Sequence, residues 1–177
     1  EEVVAVDGVD RDERPRAGLG ADRLARLRPA FRATGTVTAG NSCGVNDGAA
    51  AVALVDAETH AGLRLPGLRI VASATAGVDP NRPGIGIVPA VRAALARAGL
   101  DLEAIDVVEL NEAFAGQVLA CCDELGLDPA RVCPQGGALA LGHPWGASGA
   151  VLVVRLFTQL VHQAGGRYGL AAIAVGG

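Results

Sequence analysis

His143 stands in the run Ala140-Leu141-Gly142-His143-Pro144-Trp145-Gly146-Ala147-Ser148-Gly149. Glycines and a proline around it impose a sharp turn just before an apolar, helix-like stretch. The imidazole is therefore held rigidly and points away from the helix body. With an ordinary pKa near neutrality it can take a proton or hydrogen-bond a carbonyl oxygen. The alternative is a histidine that caps the helix or bonds within its own loop. Asn111 follows the apolar run 105–110 and precedes a helix-like segment. Ligands in open α/β sheets collect at the carboxyl ends of strands. An asparagine there holds a water or donates to an oxyanion, or else it is a plain helix cap. Glu112 carries the same ambiguity. Cys43 lies in Asn41-Ser42-Cys43-Gly44-Val45-Asn46-Asp47-Gly48. A thiol just before a helix start has a lowered pKa and can be a nucleophile; the plainer reading is a small residue in a tight loop. His60 and His162 sit in polar segments and read as solvated.

Several other chemistries lack their residues. The glycine-rich stretch 138–149 has no Lys and no GxxxxGK[ST], so a nucleoside-triphosphate loop is not supported. Gly84-Ile85-Gly86 follows no strand directly and lacks the third glycine of a dinucleotide fingerprint. Cys121, Cys122, Cys133 and His143 have the wrong spacing for a zinc motif. No metal site is expected.

These residues need elements to hold them. Residues 22–27 suit a short helix, and 35–40 a short extended piece between glycines. Asn46 or Asp47 can cap a helix starting at Gly48 or Ala49, whose alanines would pack closely against a neighbour. Residues 68–76 alternate as a strand. After the Pro83-Gly84 break, Val88, Val91 and Leu95 recur at helical spacing, and Gly99 ends that helix. Asp101 caps a turn before the buried strand 105–110. A helix over 112–125 stops at Gly126. Residues 132–134 form a short strand, 147–164 a helix closed by Gly165-Gly166, and 168–175 a final buried strand. From residue 68 the order is β-α-β-α-β-α-β, an α/β layered domain with a largely buried sheet.

Composition agrees. The chain has 177 residues, half of them apolar and 19% charged, ample for a packed core and unlike a disordered segment. At roughly 100–200 residues per domain this is one domain or a piece of something larger. The mean hydropathy is +0.35, yet no apolar stretch approaches the ~18–20 residues a bilayer requires. A net charge of −4 and pI of 5.3 argue against nucleic acid as the main partner. The first residues are acidic, unlike a secretory signal. Four cysteines with no framework spacing point to a reducing, cytoplasmic setting. The chain has no Met and stops in the apolar run Ile173-Ala174-Val175-Gly176-Gly177, so we expect a fragment or one part of a split protein.

Four segments together resemble the second half of a thiolase: Gly35-Thr36-Val37-Thr38-Ala39-Gly40-Asn41, Asn46-Asp47-Gly48-Ala49-Ala50, Asn111-Glu112-Ala113-Phe114, and Gly136-Gly137-Ala138-Leu139-Ala140-Leu141-Gly142-His143-Pro144 through Gly149. Their order and spacing match as well. The resemblance implies an α-β-α-β-α layered fold of two similar halves plus a loop domain that holds coenzyme A. Residues 1–45 would end the loop domain, 46–66 would complete the N-terminal half and 67–177 would form the C-terminal domain. The implied activity is acyl transfer between coenzyme A and a cysteine, with thiolysis of 3-ketoacyl-CoA or Claisen condensation of acetyl-CoA, as in fatty acid metabolism. Coenzyme A is then a substrate, and no metal or prosthetic group is needed. The implied partners are acyl-CoA, an N-terminal thiolase half in the same or another chain, and further copies in a homo-oligomer.

Roles carry over only where residues match. His143 resembles the histidine that activates the nucleophilic cysteine and binds the thioester oxygen. Asn111 resembles the asparagine that holds a water in the same oxyanion hole, and Gly176 the glycine whose N–H forms a second one. Ala113 and Phe114 would line the pantetheine tunnel, and Arg16 aligns with a basic residue near the adenine end of coenzyme A. Three departures stand out. The family's nucleophilic cysteine belongs to its N-terminal half, and none of the four cysteines here takes its place. The second cysteine, of the CxGG motif, falls at Ala174, which cannot move a proton. Cys43 stands where the family usually has a serine contacting pantetheine, and Trp145 replaces a smaller apolar residue near the acyl pocket. The alternative is a degenerate thiolase-like protein that binds acyl-CoA or a partner subunit without full turnover.

Overall fold

A computed structural model describes residues 2–175; Gly176, expected in an oxyanion hole, lies outside them. The centre is strand β1 (Val107–Leu110), buried along its whole length. It runs parallel to β2 (Gly169–Ala172), with Leu110 opposite Ala172. On the other side of β1, Val132 makes a parallel bridge to Val108, and the Cys133 N–H donates to the Val108 carbonyl at 2.9 Å. Three extended segments therefore lie side by side.

Alternation along β1 divides its side chains between two layers. Val108 and Leu110 face helices α3 (Ile87–Ala98) and α4 (Ala115–Leu125), packing with Ile87, Val88, Val91, Val118, Cys121 and Cys122. On the opposite face Glu109 meets helix α6 (Ser148–Phe157). A π turn, Thr158–His162, prolongs α6. Helix α3 ends where the sequence predicts, at Gly99 in the left-handed region with φ 65°, and α4 ends likewise at Gly126 with φ 67°. Both glycines close a helix whose next residue must reverse direction, a conformation costly for side chains with a Cβ.

Glu109 is fully buried. Its carboxylate accepts from Arg155 Nε at 3.0 Å and from Gln159 Nε2 at 2.6 Å. Arg155 also donates to the Gly136 carbonyl at 2.5 Å and pairs with Glu2 at 3.3 Å. One buried charge pair thus ties β1, α6 and the loop before residue 137 together.

Two sequence expectations fail. No helix starts at Gly48 or Ala49. Gly48 lies so close to Pro144 that a Cβ there would sit 2.8 Å from the proline ring. The Asn46 amide turns to the Asp47 carbonyl at 3.0 Å instead of capping. The chain stays extended until Asp56, which caps α2 (Ala57–Leu63) by accepting from the Thr59 N–H at 2.7 Å. Residues 68–76 are extended but join no ladder. A cavity of about 650 Å³ separates them from β2, floored by Ala90, Ala94 and Ala98 of α3 and by Leu152 and Leu156 of α6. The segment is held instead by Arg97, which donates to the Ser73 carbonyl at 2.6 Å. The helix predicted over residues 22–27 is a single turn, α1 (Ala21–Leu24), and the one expected from residue 112 begins after Phe114. Among the described residues, no helix is long and apolar enough to cross a membrane.

Candidate active site at the carboxyl end of β1

The backbone of Asn111 continues the β1 ladder, its N–H donating to the Ala172 carbonyl at 2.9 Å. Its side chain is therefore delivered at the strand end, where parallel sheets present their loops. Asn111 is buried, and its Nδ2 lies 3.1 Å from His143 Nε2. The sequence-predicted pair is brought together across 32 residues of chain.

His143 is reached through a short helix, α5 (Ala138–Leu141), and the reversal at Gly142, whose φ is 101°. A side chain at 142 would collide with Asn46 Oδ1. Glu112 holds the front of this loop: its Oε2 accepts from the Leu139 N–H at 3.1 Å, while Gly137 lies against the same carboxylate. Burial pushes the Glu112 carboxyl above its usual range, and the Leu139 N–H partly offsets this. Glu112 is thus an anchor for the histidine loop rather than a helix cap.

A third strand of chain completes the cluster. The side chains of Asn41 and Ser42 fold back on the turn before them: Asn41 Oδ1 accepts from Thr38 N–H at 2.8 Å, and Ser42 Oγ donates to the Thr38 carbonyl at 2.7 Å. The following backbone is then laid between the other two segments. The Ala115 N–H donates to the Asn41 carbonyl at 2.9 Å, the Cys43 N–H to the Ala113 carbonyl at 3.0 Å, and the His143 N–H to the Gly44 carbonyl at 2.8 Å. Cys43, Ala113, Phe114, Asn111 and His143 are consequently neighbours along one seam. Arg14 donates to the Val45 carbonyl.

Electrostatics separate the candidates. Partial burial lowers the His143 pKa below its ordinary value, so the ring is neutral at pH 7 and can accept a proton. Burial pushes the Cys43 thiol up, and its own backbone N–H and Arg14 only partly offset this. With no helix beginning after it, Cys43 lacks the dipole that would make a thiolate. Cys133 is raised further, chiefly by burial and by the charge of Glu109 and Glu112. Cys121 and Cys122 belong to the core. Among the described residues no group of three or more His, Cys, Asp or Glu is placed to hold a metal. Arg16 is exposed, and its side chain makes no hydrogen bond or ion pair among the described residues; Arg14 is the arginine that meets the seam. Trp145 is 68% exposed at the turn after Pro144. Ala174 lies two residues beyond β2, packed against the core at the Asn111 end of the sheet.

Two contributors escape a reading of spacing. Ser148, buried at the first turn of α6, has its Oγ 2.6 Å from His143 Nδ1; in the sequence it is one more small residue of a glycine-rich turn. Arg14 sits in a charged loop far upstream. The buried Glu109 did leave a signal, an acid inside an apolar strand.

A buried parallel sheet thus carries, at its strand ends, a neutral histidine and a carboxamide that converge to 3.1 Å in an α/β protein. The chain belongs to the thiolase family: the model of the thiolase C-terminal domain matches residues 65–177, and that of the thiolase N-terminal domain matches residues 2–58. It is 53% identical over 171 residues to an acetyl-CoA acetyltransferase of Pseudomonas aeruginosa, covering 96% of this chain and 43% of the relative. It is 48% identical to a beta-ketoadipyl-CoA thiolase of Acinetobacter baylyi, covering 95% and 42%. The crystal structure of the Bacillus anthracis acetyl-CoA acetyltransferase superposes with a TM-score of 0.90 at 45% identity, over 94% of this chain and 42% of that one. The chain therefore spans about two fifths of the length of these relatives.

Proposed function

We propose that this chain supplies the oxygen-binding part of a thiolase-type acyltransferase site, acting on acyl-CoA. The 3.1 Å approach of Asn111 to a neutral His143, at the end of β1, carries the reading. The nucleophilic cysteine would come from an N-terminal thiolase half outside these 177 residues. His143 Nε2 would take the proton of that thiol. The thiolate would attack the thioester carbonyl, the carbon–sulfur bond to coenzyme A would break, and coenzyme A would leave as its thiol after regaining the proton from His143. Asn111 and the Gly176 backbone N–H would donate to oxygens that gain negative charge; removing one such donor typically costs roughly 10²–10³ in rate. Ala113, Phe114, Cys43 and Trp145 would border the pantetheine and acyl chain, and Arg16 the adenine end. Residues 1–45, 46–66 and 67–177 would be the end of the loop domain, the completion of the N-terminal half and the C-terminal domain. We place the protein in the cytoplasm as a homo-oligomer.

Ala174 supports a further refinement: the acyl-enzyme forms, but carbon–carbon bond formation is slow, because alanine cannot abstract the α-proton of acetyl-CoA. The test is to isolate the protein from its source, measure native and denatured mass, and follow both acetylation by acetyl-CoA and synthesis of acetoacetyl-CoA. Acetylation with slow synthesis supports the reading. Fast synthesis refutes the refinement. A lone 17.7 kDa chain that forms no acyl-enzyme would leave a binding-only protein.

A further inference from the structure

His143 touches a polar side chain at each ring nitrogen: Asn111 Nδ2 at 3.1 Å from Nε2, and Ser148 Oγ at 2.6 Å from Nδ1. A carboxamide nitrogen donates and cannot accept. Nε2 must then carry the lone pair, and the one proton of the neutral ring resides on Nδ1. Ser148 Oγ is its acceptor. Ser148 is itself fixed: it is buried and opens α6, whose next turns are locked by the Arg155–Glu109 pair. The ring is thus gripped from the helix side, and its basic nitrogen faces the seam formed by residues 41–45 and 111–114.

We propose that Ser148 is a positioning residue that sets the Nδ1–H tautomer of His143 and so makes Nε2 the proton acceptor of the site. This deepens the acyltransfer reading and rests on it for its purpose. When Nε2 takes a proton, the Nδ1–H···Ser148 hydrogen bond remains and steadies the resulting imidazolium. Both ring nitrogens then donate, Nδ1 to Ser148 and Nε2 toward an oxygen in the site. No proton needs to leave Nδ1.

The test is the long-range ¹⁵N–¹H spectrum of the imidazoles in the uniformly ¹⁵N-labelled chain, with His143→Gln assigning the ring. The expected result is an Nδ1–H pattern for His143. Ser148→Ala should convert it to a mixture or to Nε2–H, while Ser148→Thr, which keeps the hydroxyl, should restore the original pattern. Backbone amide spectra check that each variant is folded. An Nε2–H pattern in the unaltered chain overturns the proposal, since Asn111 would then accept through its oxygen and Ser148 would donate. An unchanged Nδ1–H pattern in a folded Ser148→Ala overturns it too. If Ser148→Ala fails to fold, the spectra of the unaltered chain and of Ser148→Thr still decide, because loss of the Nδ1–H pattern in either one refutes the assignment. None of these spectra needs substrate. Failure of acetylation with an intact Nδ1–H pattern would therefore count against the acyltransfer reading alone. In the complete protein Ser148→Ala should lower kcat about tenfold, the worth of one lost hydrogen bond, with KM little changed.

Discussion

His143 is neutral at pH 7 because its surroundings are only partly wet. Burial lowers its pKa, so the folded state takes up the proton less readily than the unfolded chain. The stability this gives is fully present above the ordinary histidine pKa of about 6.5 and is lost as pH falls from there toward the lower folded value. Urea midpoints should therefore drop between pH 7.5 and 5.5, and the drop should shrink in His143→Gln. An equal drop in both would place the titration elsewhere. Ala174 poses the complementary case, a position at the Asn111 end of the sheet with no group to titrate. In the complete protein Ala174→Cys should raise the condensation rate by two to four orders of magnitude, the usual worth of a general base. No gain would mean that another residue already abstracts the proton.

At the scale of elements, the site depends on β1 being nailed in place from both faces. Leu110 and Val108 do this with packing, Glu109 with charge. Glu109→Gln leaves the buried Arg155 guanidinium with the part-exposed Glu2 as its remaining carboxylate, and should cost about 1.5–3 kcal/mol of unfolding free energy, the worth of a hydrogen bond to a charged group, in a chemical-denaturation curve. Replacing both partners by apolar residues of similar volume should cost far less. Much of this level was legible. Gly99 and Gly126 stop their helices as read, and the strand–loop–helix order puts Asn111 at a strand end. What was not legible depends on residues distant in sequence. Where a helix was expected, Gly48 instead packs closely on Pro144, 96 positions away in the chain. The alternating run 68–76 has strand character but no neighbour within ladder distance. The partner of His143 Nδ1 depends on how the turn at 144–147 swings Ser148 back, which spacing cannot reveal.

At the scale of the whole molecule, apolar surface is unevenly spent. Leu68, Ile70 and Val71 remain exposed beside the cavity that separates their segment from β2. Unpaired strand edges next to apolar surface bind hydrophobic dyes and recruit other edges. The 177-residue chain should enhance the fluorescence of anilinonaphthalene sulfonate and associate as its concentration rises. Ile70→Lys should reduce both in sedimentation and dye titrations without shifting the thermal midpoint by more than a degree or two. If neither changes, the exposed edge is not where copies meet.

The seam between residues 41–45 and the two site loops is made of main-chain groups: Asn41, Cys43 and Gly44 engage Ala115, Ala113 and His143 through amides and carbonyls alone. Every residue type except proline presents the same N–H and C=O there. The backbone contacts at Cys43 therefore do not depend on its side chain, whereas the His143 ring and its loop are held by the side chains of Ser148 and Glu112. Cys43→Ser should leave stability within about 0.5 kcal/mol and the His143 ring signals in place. Drift in the side chain at position 43 leaves those main-chain contacts where they are, so that position is free to vary while the frame that carries His143 and Asn111 persists.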